Sequence, residues 1–148
     1  CNKGDQPMNH YTQLESNKAL VRCHFADALH DPSICDAIYA PALAQAVKNG
    51  AERLKTVWYT ACTMPADDIL AEDDRVMVRW TFYGTQQGEF AGLPATQRQV
   101  NYAGINIFRM ADDKIVEIWD ILDRLALWQQ LGVRPEIKDV IAKLKNQA

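Results

Sequence analysis

The sequence predicts an α+β domain: helices first, then antiparallel strands curved against one face of them, and short helices at the end. Three observations predict it. Apolar residues recur every three or four positions up to about residue 61, alternate from residue 75 onward, and return to the helical period after residue 123.

Residues 1–13 are polar and read as a flexible lead-in, which leaves 14–148 as a single domain. "ESNKALVRCHFADALH" then puts Ala19, Leu20, Cys23, Ala26 and Leu29 on one helical stripe, with Phe25 at its margin, and Asp31-Pro32 ends it. Ser33, with Asp36 three residues on, starts a short helix that stops before Pro41. "ALAQAVKNGAERLKTVWYTA" is helical in one or two pieces, with Asn49-Gly50 as the expected break and Leu54, Val57, Trp58 and Ala61 facing inward. In "RVMVRWTFYG", Val76, Val78, Trp80 and Phe82 share one side, and Met77, Arg79, Thr81 and Tyr83 the other. "TQQGEFAGLPATQRQ" is a long hairpin connection, and "QVNYAGINIFRM" is a strand that turns at Ala111-Asp112-Asp113-Lys114 into the strand "IVEIWDIL". Asp123 can cap "RLALWQQL", Gly132 closes it, and Ile137, Val140, Ile141 and Leu144 make the last segment a short amphipathic helix.

Composition narrows the function. With 148 residues the chain is large enough for one well-buried core, and 48% hydrophobic and 24% charged residues are near the globular norm. A net charge of −3 argues against nucleic acid as a partner. No apolar run reaches about 18 residues, so no transmembrane segment is expected. The four cysteines lack CxxC spacing, and His10, His24 and His30 form no metal-binding pattern, so no metal site is expected. The chain starts at Cys1. One reading is a lipid-anchored or periplasmic protein on the polar tether "CNKGDQP"; the other is a cytoplasmic protein with Met8 as its natural start.

Asp120 is the conspicuous residue. Alternation puts it on the side of Val116, Ile118 and Leu122, and Glu117 on the other side with Ile115, Trp119 and Ile121. If the last two strands form a tight hairpin, Asp120 meets Asn106 on a mainly apolar face. A carboxyl group there loses hydration and holds its proton more tightly, which suits general acid/base work. Equally, Asp120 can cap the final helix or pair with Arg124 or Arg109. Glu117 and Arg79 read as strand-face ion-pair partners, Trp119 and Trp128 as core or interface residues. Trp80, Phe82 and Tyr102 could hold a flat apolar ligand. No nucleophile has a recognisable base beside it, so covalent catalysis has no support.

"DRVMVRWTFYGTQQGEFAGLPATQRQV" followed by "GINIFRMADDKIVEIWDILDRLALWQQLG" resembles the SnoaL-like polyketide cyclases, or ester cyclases, of the NTF2-like superfamily. The spaced set is GxxxGxxxGLPxT, FRxxDxKIxExWDxxD and QLG. The resemblance implies a cone-shaped α+β barrel: a curved, mostly antiparallel sheet wrapped around N-terminal helices, with short C-terminal helices. It also implies a homodimer and no cofactor. The family's cyclases close a ring by intramolecular aldol condensation, and their catalytic aspartate falls on Asp120. Asn106 stands where they have a histidine, and Gln86 where their loop often has another.

The leading expectation is therefore a cofactor-independent cyclase-type enzyme acting on a small apolar or aromatic carbonyl ligand. Asp120 would be the acid/base, Asn106 and Gln86 would orient a carbonyl oxygen, and Trp80, Phe82 and Tyr102 would pack the ligand. The alternatives are a non-catalytic small-molecule-binding module, and an isomerase or dehydratase using the same aspartate.

Overall fold

The computed structural model describes residues 9–28, 30–59, 62–133 and 137–146, side chains at 137–140 excepted. Expectations that rest on Cys1, Met8, Leu29, Ala61 or the side chains of Ile137 and Val140 lie outside the described residues.

Helix α1 (His10–Cys23) begins inside the segment expected to be lead-in, because the Asn9 side chain accepts the Tyr11 N–H and caps it. Its last turn widens into a π-helical segment, His24–Ala28. The buried stripe is not the one that apolar spacing predicts. Asn17, Val21, His24, Phe25 and Ala28 are buried, while Ala19 and Ala26 face solvent. Two polar side chains take core positions because each finds a partner: Gln13 donates to Asn17 Oδ1 at 3.1 Å, and Tyr39 Oη bonds His24 Nδ1 at 2.5 Å. A 3₁₀ turn (Pro32–Ile34) capped by Asp31 leads into α2 (Cys35–Ile38).

Helix α3 (Pro41–Trp58) is continuous, so the break expected at Asn49-Gly50 does not occur. Proline at its start is preorganised for helix. Ala44, Ala51, Val57 and Trp58 are buried along it, and this packing outweighs the weak propensity of one glycine.

The sheet holds β1 (Cys62–Thr63), β2 (Ala66–Glu72), β3 (Arg75–Thr85), β4 (Gln99–Ala111) and β5 (Lys114–Leu122). β1 and β2 both pair with β3, followed by β4 and then β5, all antiparallel and without closure into a barrel. The short strands β1 and β2 are absent from the sequence reading. β2, "ADDILAE", hides its character because Asp67 and Asp68 point outward to bind Arg79, at 3.2 and 2.6 Å. Asp112 and Asp113 both have positive φ, the two-residue turn that suits the twist of a tight hairpin.

One irregularity changes the expected faces. Arg109 pairs with Glu117 but Met110 with Ile115, so Val116 is an extra residue. This β-bulge reverses the alternation behind it, and Ile115 is fully buried on the inner side rather than outside with Glu117. The inner face packs Val76, Val78, Trp80, Phe82, Val100, Phe108 and Met110 against the helices. After β5, Asp123 Oδ1 accepts the Ala126 N–H at 2.9 Å and caps α4 (Arg124–Gln130); α5 (Ile137–Lys145) follows. Among the described residues, no helix is long and apolar enough to cross a membrane.

Candidate active site

The three central strands bring the candidate residues together by register. Val78 lies opposite Asn106, and Asn106 opposite Asp120; the next inward row is Trp80, Gly104 and Leu122; then Phe82 faces Tyr102. Gly104 is required there. A Cβ on it would fall 2.2 Å from the Trp80 ring. The space admits the indole, whose Nε1–H donates to Asn106 Oδ1. An indole N–H can only donate, so this bond selects the amide oxygen and turns the Nδ2 hydrogens elsewhere. Among the described residues no protein acceptor takes them. No buried side-chain N or O atom among the described residues lacks a partner, so Nδ2 is not sealed from solvent.

Asp120 itself lines an open cavity of about 860 Å³ between α3, β4, β5, α4 and the loop before β4. Leu54, Val57 and Trp58 form one wall, Leu122, Leu127 and Trp128 another, with Phe90 and Tyr102 between them. Phe90 stacks on Trp128 with centroids 5.1 Å apart, and Phe82 stacks on Tyr102 at 5.0 Å. Arg53, Glu89 and Arg124 add charge to the lining. Burial pushes the Tyr102 phenol up to about 12, so it stays protonated and available as a donor.

The carboxylate differs from expectation in one respect: Asp120 is exposed at the cavity rather than buried. β5 is the last strand of an open sheet, and its outer edge carries a bridge only at Ile115, to Tyr39, well before Asp120. No hydrogen bond joins Asp120 to Asn106, and Asp123, not Asp120, caps α4. Glu117 pairs with Arg109 at 2.5 Å, and each draws the other toward its charged form.

The other candidates lie around this pair. Tyr102 lines the cavity; Trp80 and Phe82 are buried beneath it. Gln86 is fully buried and serves the loop. Its Nε2 donates to the carbonyls of Gly88, Leu93 and Pro94, and its Oε1 accepts the N–H and hydroxyl of Thr96. The Gln87 and Gly88 N–H groups then bind the Val57 carbonyl at 2.9 Å each. At Gly88 a Cβ would collide with the Thr56 carbonyl oxygen, so glycine lets the loop dock on α3 and hold Phe90 over the cavity. Sequence reasoning missed Trp58, Phe90, Arg53 and Arg124 as cavity residues, reading Trp58 only as inward-facing and Arg124 only as a possible partner of Asp120. Only the helical spacing from Gly50 to Trp58 held a signal for the first and third.

A curved antiparallel sheet packed on helices, with Asp120 and Glu89 on the lining of a mainly aromatic and aliphatic cavity, is an NTF2-like fold. The SnoaL-like polyketide cyclase family model matches residues 16–131, and the chain belongs to that family. Among solved structures it is similar to TsrD from Streptomyces laurentii, with 26% identity and a TM-score of 0.69 over 85% of this chain and 99% of that one. AclR from Streptomyces galilaeus, which carries a provisional hydroxylase name, is 26% identical with a TM-score of 0.68, over 90% of this chain and 94% of that one. A SnoaL-like protein from Jannaschia sp. CCS1 shares the fold, with a TM-score of 0.74 and 19% identity over 90% of this chain and 100% of that one. No curated protein matches the chain significantly.

Proposed function

We propose that the protein is a cofactor-independent enzyme of the cyclase type, moving protons on a small apolar or aromatic carbonyl compound in the Asp120 cavity. The observation that carries this reading is the register that sets Asp120 beside Asn106 on the inner face. Asp120 takes the proton α to a carbonyl and returns it later. The Asn106 amide, oriented by Trp80, donates to the carbonyl oxygen as negative charge develops there. An enolate delocalised within the substrate then needs little further help, and one positioned carboxylate suffices for an aldol-type ring closure. Tyr102, with Trp58, Phe90 and Trp128, contacts the ligand. Phe82 supports Tyr102 from below, and Gln86 acts by shaping the loop rather than by touching substrate. An isomerisation or dehydration would use the same aspartate in the same way.

Asp120→Asn tests it: fold and ligand affinity are retained and turnover falls by at least about 10²-fold, the contribution of one acid/base. Unchanged turnover removes Asp120 from the mechanism. Because no side chain orients the Asp120 carboxylate among the described residues, a second reading follows, a binding module without turnover. A ligand that co-purifies and is never converted supports it.

The reading includes a homodimer through the outer face of the sheet. There Met77, Ile105, Trp119 and Ile121 are all exposed, and Ile121 is 80% accessible. Register joins them into two adjacent rows, Met77–Ile107–Trp119 and Ile105–Ile121. A contiguous apolar face bordered by ion pairs is self-complementary under a two-fold axis.

A further inference from the structure

The cavity carries two charges for which carbonyl chemistry has no use. Arg53 on α3 and Arg124 at the start of α4 both line it. Among the described residues neither guanidinium makes a salt bridge, although Glu89 and Asp120 line the same space. The strand arginines differ: Arg79 binds Asp67 and Asp68, Arg109 binds Glu117, and Arg75 reaches Asp74 and lies over the Trp119 ring. Arg53 is exposed on α3 near Glu52 and Thr56, yet it reaches the cavity. Gly50, Arg53, Leu54 and Val57 follow one another at three- and four-residue spacing on the face that lines the cavity.

Gly50 is the second observation. Glycine within a helix costs stability relative to alanine. Elsewhere in the chain the cost has a structural reason, since a Cβ at Gly84, Gly88 or Gly104 would meet an atom closer than 3 Å. At Gly50 a Cβ meets nothing within 4 Å and φ is not positive, so neither packing nor backbone demands it. What it leaves is free volume on the cavity wall, one turn from Arg53.

We infer that the cavity takes an aromatic carboxylate, its anionic group held by Arg53 and Arg124, its ring against Phe90 and Trp128, with Gly50 leaving it room. This rests on the reading of the cavity as the ligand site. Guanidinium groups match carboxylate geometry with paired N–H donors, which a lysine does not. The two cations also balance Glu89 and Asp120. Without them an anionic ligand would meet only negative charge, and the base would repel its own substrate.

The test compares 2-naphthoic acid with its methyl ester, two probes of nearly the same shape, by calorimetry and by quenching of tryptophan fluorescence. The wild-type protein binds the acid at least about tenfold more tightly than the ester, as expected for a charge-assisted pair, and added salt narrows the difference. The double variant Arg53→Gln/Arg124→Gln loses that preference and keeps its ester affinity. Gly50→Ala raises the melting temperature yet weakens both probes. Equal binding of acid and ester by the wild-type protein, or a preference that survives in the double variant, overturns the inference and leaves the cavity as a ligand site. Binding of neither probe overturns the inference and the cavity reading together.

Discussion

The two faces of one sheet solve the problem of polar groups in opposite ways. On the inner face they are neutral and mutually bonded: Trp80 with Asn106, and, from the helices packed on it, Tyr39 with His24. On the outer face they are ionised and paired at the margin, Arg79 with two aspartates and Arg109 with Glu117, while apolar side chains lie open between them. Charge is costly where water is excluded, so the inner face uses hydrogen bonds and the outer face uses ion pairs. Asp120 is the one carboxylate on the inner face of β3, β4 and β5. It sits where the open sheet ends and water still reaches it. The proposed site accordingly lies at the boundary between the two regimes.

Substitutions that break the inner face should have the largest effect. Phe108 is fully buried and meets the rings of His24 and Phe25, at 5.4 and 6.0 Å. Phe108→Ala should destabilise the protein by about 3–5 kcal/mol, read from denaturant unfolding.

Acid should reveal the same contrast. Burial lowers the His24 pKa from 6.5 to about 4. Above pH 6.5 the imidazole is neutral in both states and its contribution is complete. As pH falls from 6.5 toward 4, the unfolded chain takes up a proton that the folded one refuses, and stability declines by about 3 kcal/mol in all. Below about 4 both states are protonated and the loss stops. His24→Gln should flatten the curve in that window relative to wild type, measured by urea unfolding across pH. An unchanged slope would mean that His24 is charged inside the fold.

The outer face should respond in association rather than in folding. Ile121→Asp should turn a dimer into a monomer in analytical ultracentrifugation and change monomer stability by no more than about 0.5 kcal/mol, the usual range for a surface position. A wild-type monomer would leave this apolar face without its proposed partner. A position on neither face should change folding alone and leave association intact: Asp123→Ala removes the α4 cap and should cost about 1 kcal/mol in denaturant unfolding.

Much of this was legible because it is local. Alternation in "RVMVRWTFYG" and "QVNYAGINIFRM" marked β3 and β4, Asp123 announced α4, and the Gly-Leu-Pro and FR…WD motifs pointed to the family. Placing Asp120 across from Asn106 needed only a tight hairpin, and the register agrees. Three features were not legible. β2 escaped notice because its aspartates find their cation on another strand. The buried stripe of α1 was misjudged because Asn17 and His24 are acceptable in the core only through partners elsewhere. Gln86 was read as a ligand contact, yet its amide closes five bonds to the loop after it.

The sequence by itself determined the order and type of the main elements and the residue for which acid/base work is proposed, because periodicity, capping and turn chemistry act between residues a few positions apart. Only the tertiary structure decided which side of each strand is inner beyond Val116, that Asp120 opens to water, and that Arg53 and Arg124 share a cavity with it. Those depend on register across strands and on what packs over a face, and such contacts join parts of the chain that local pattern cannot relate.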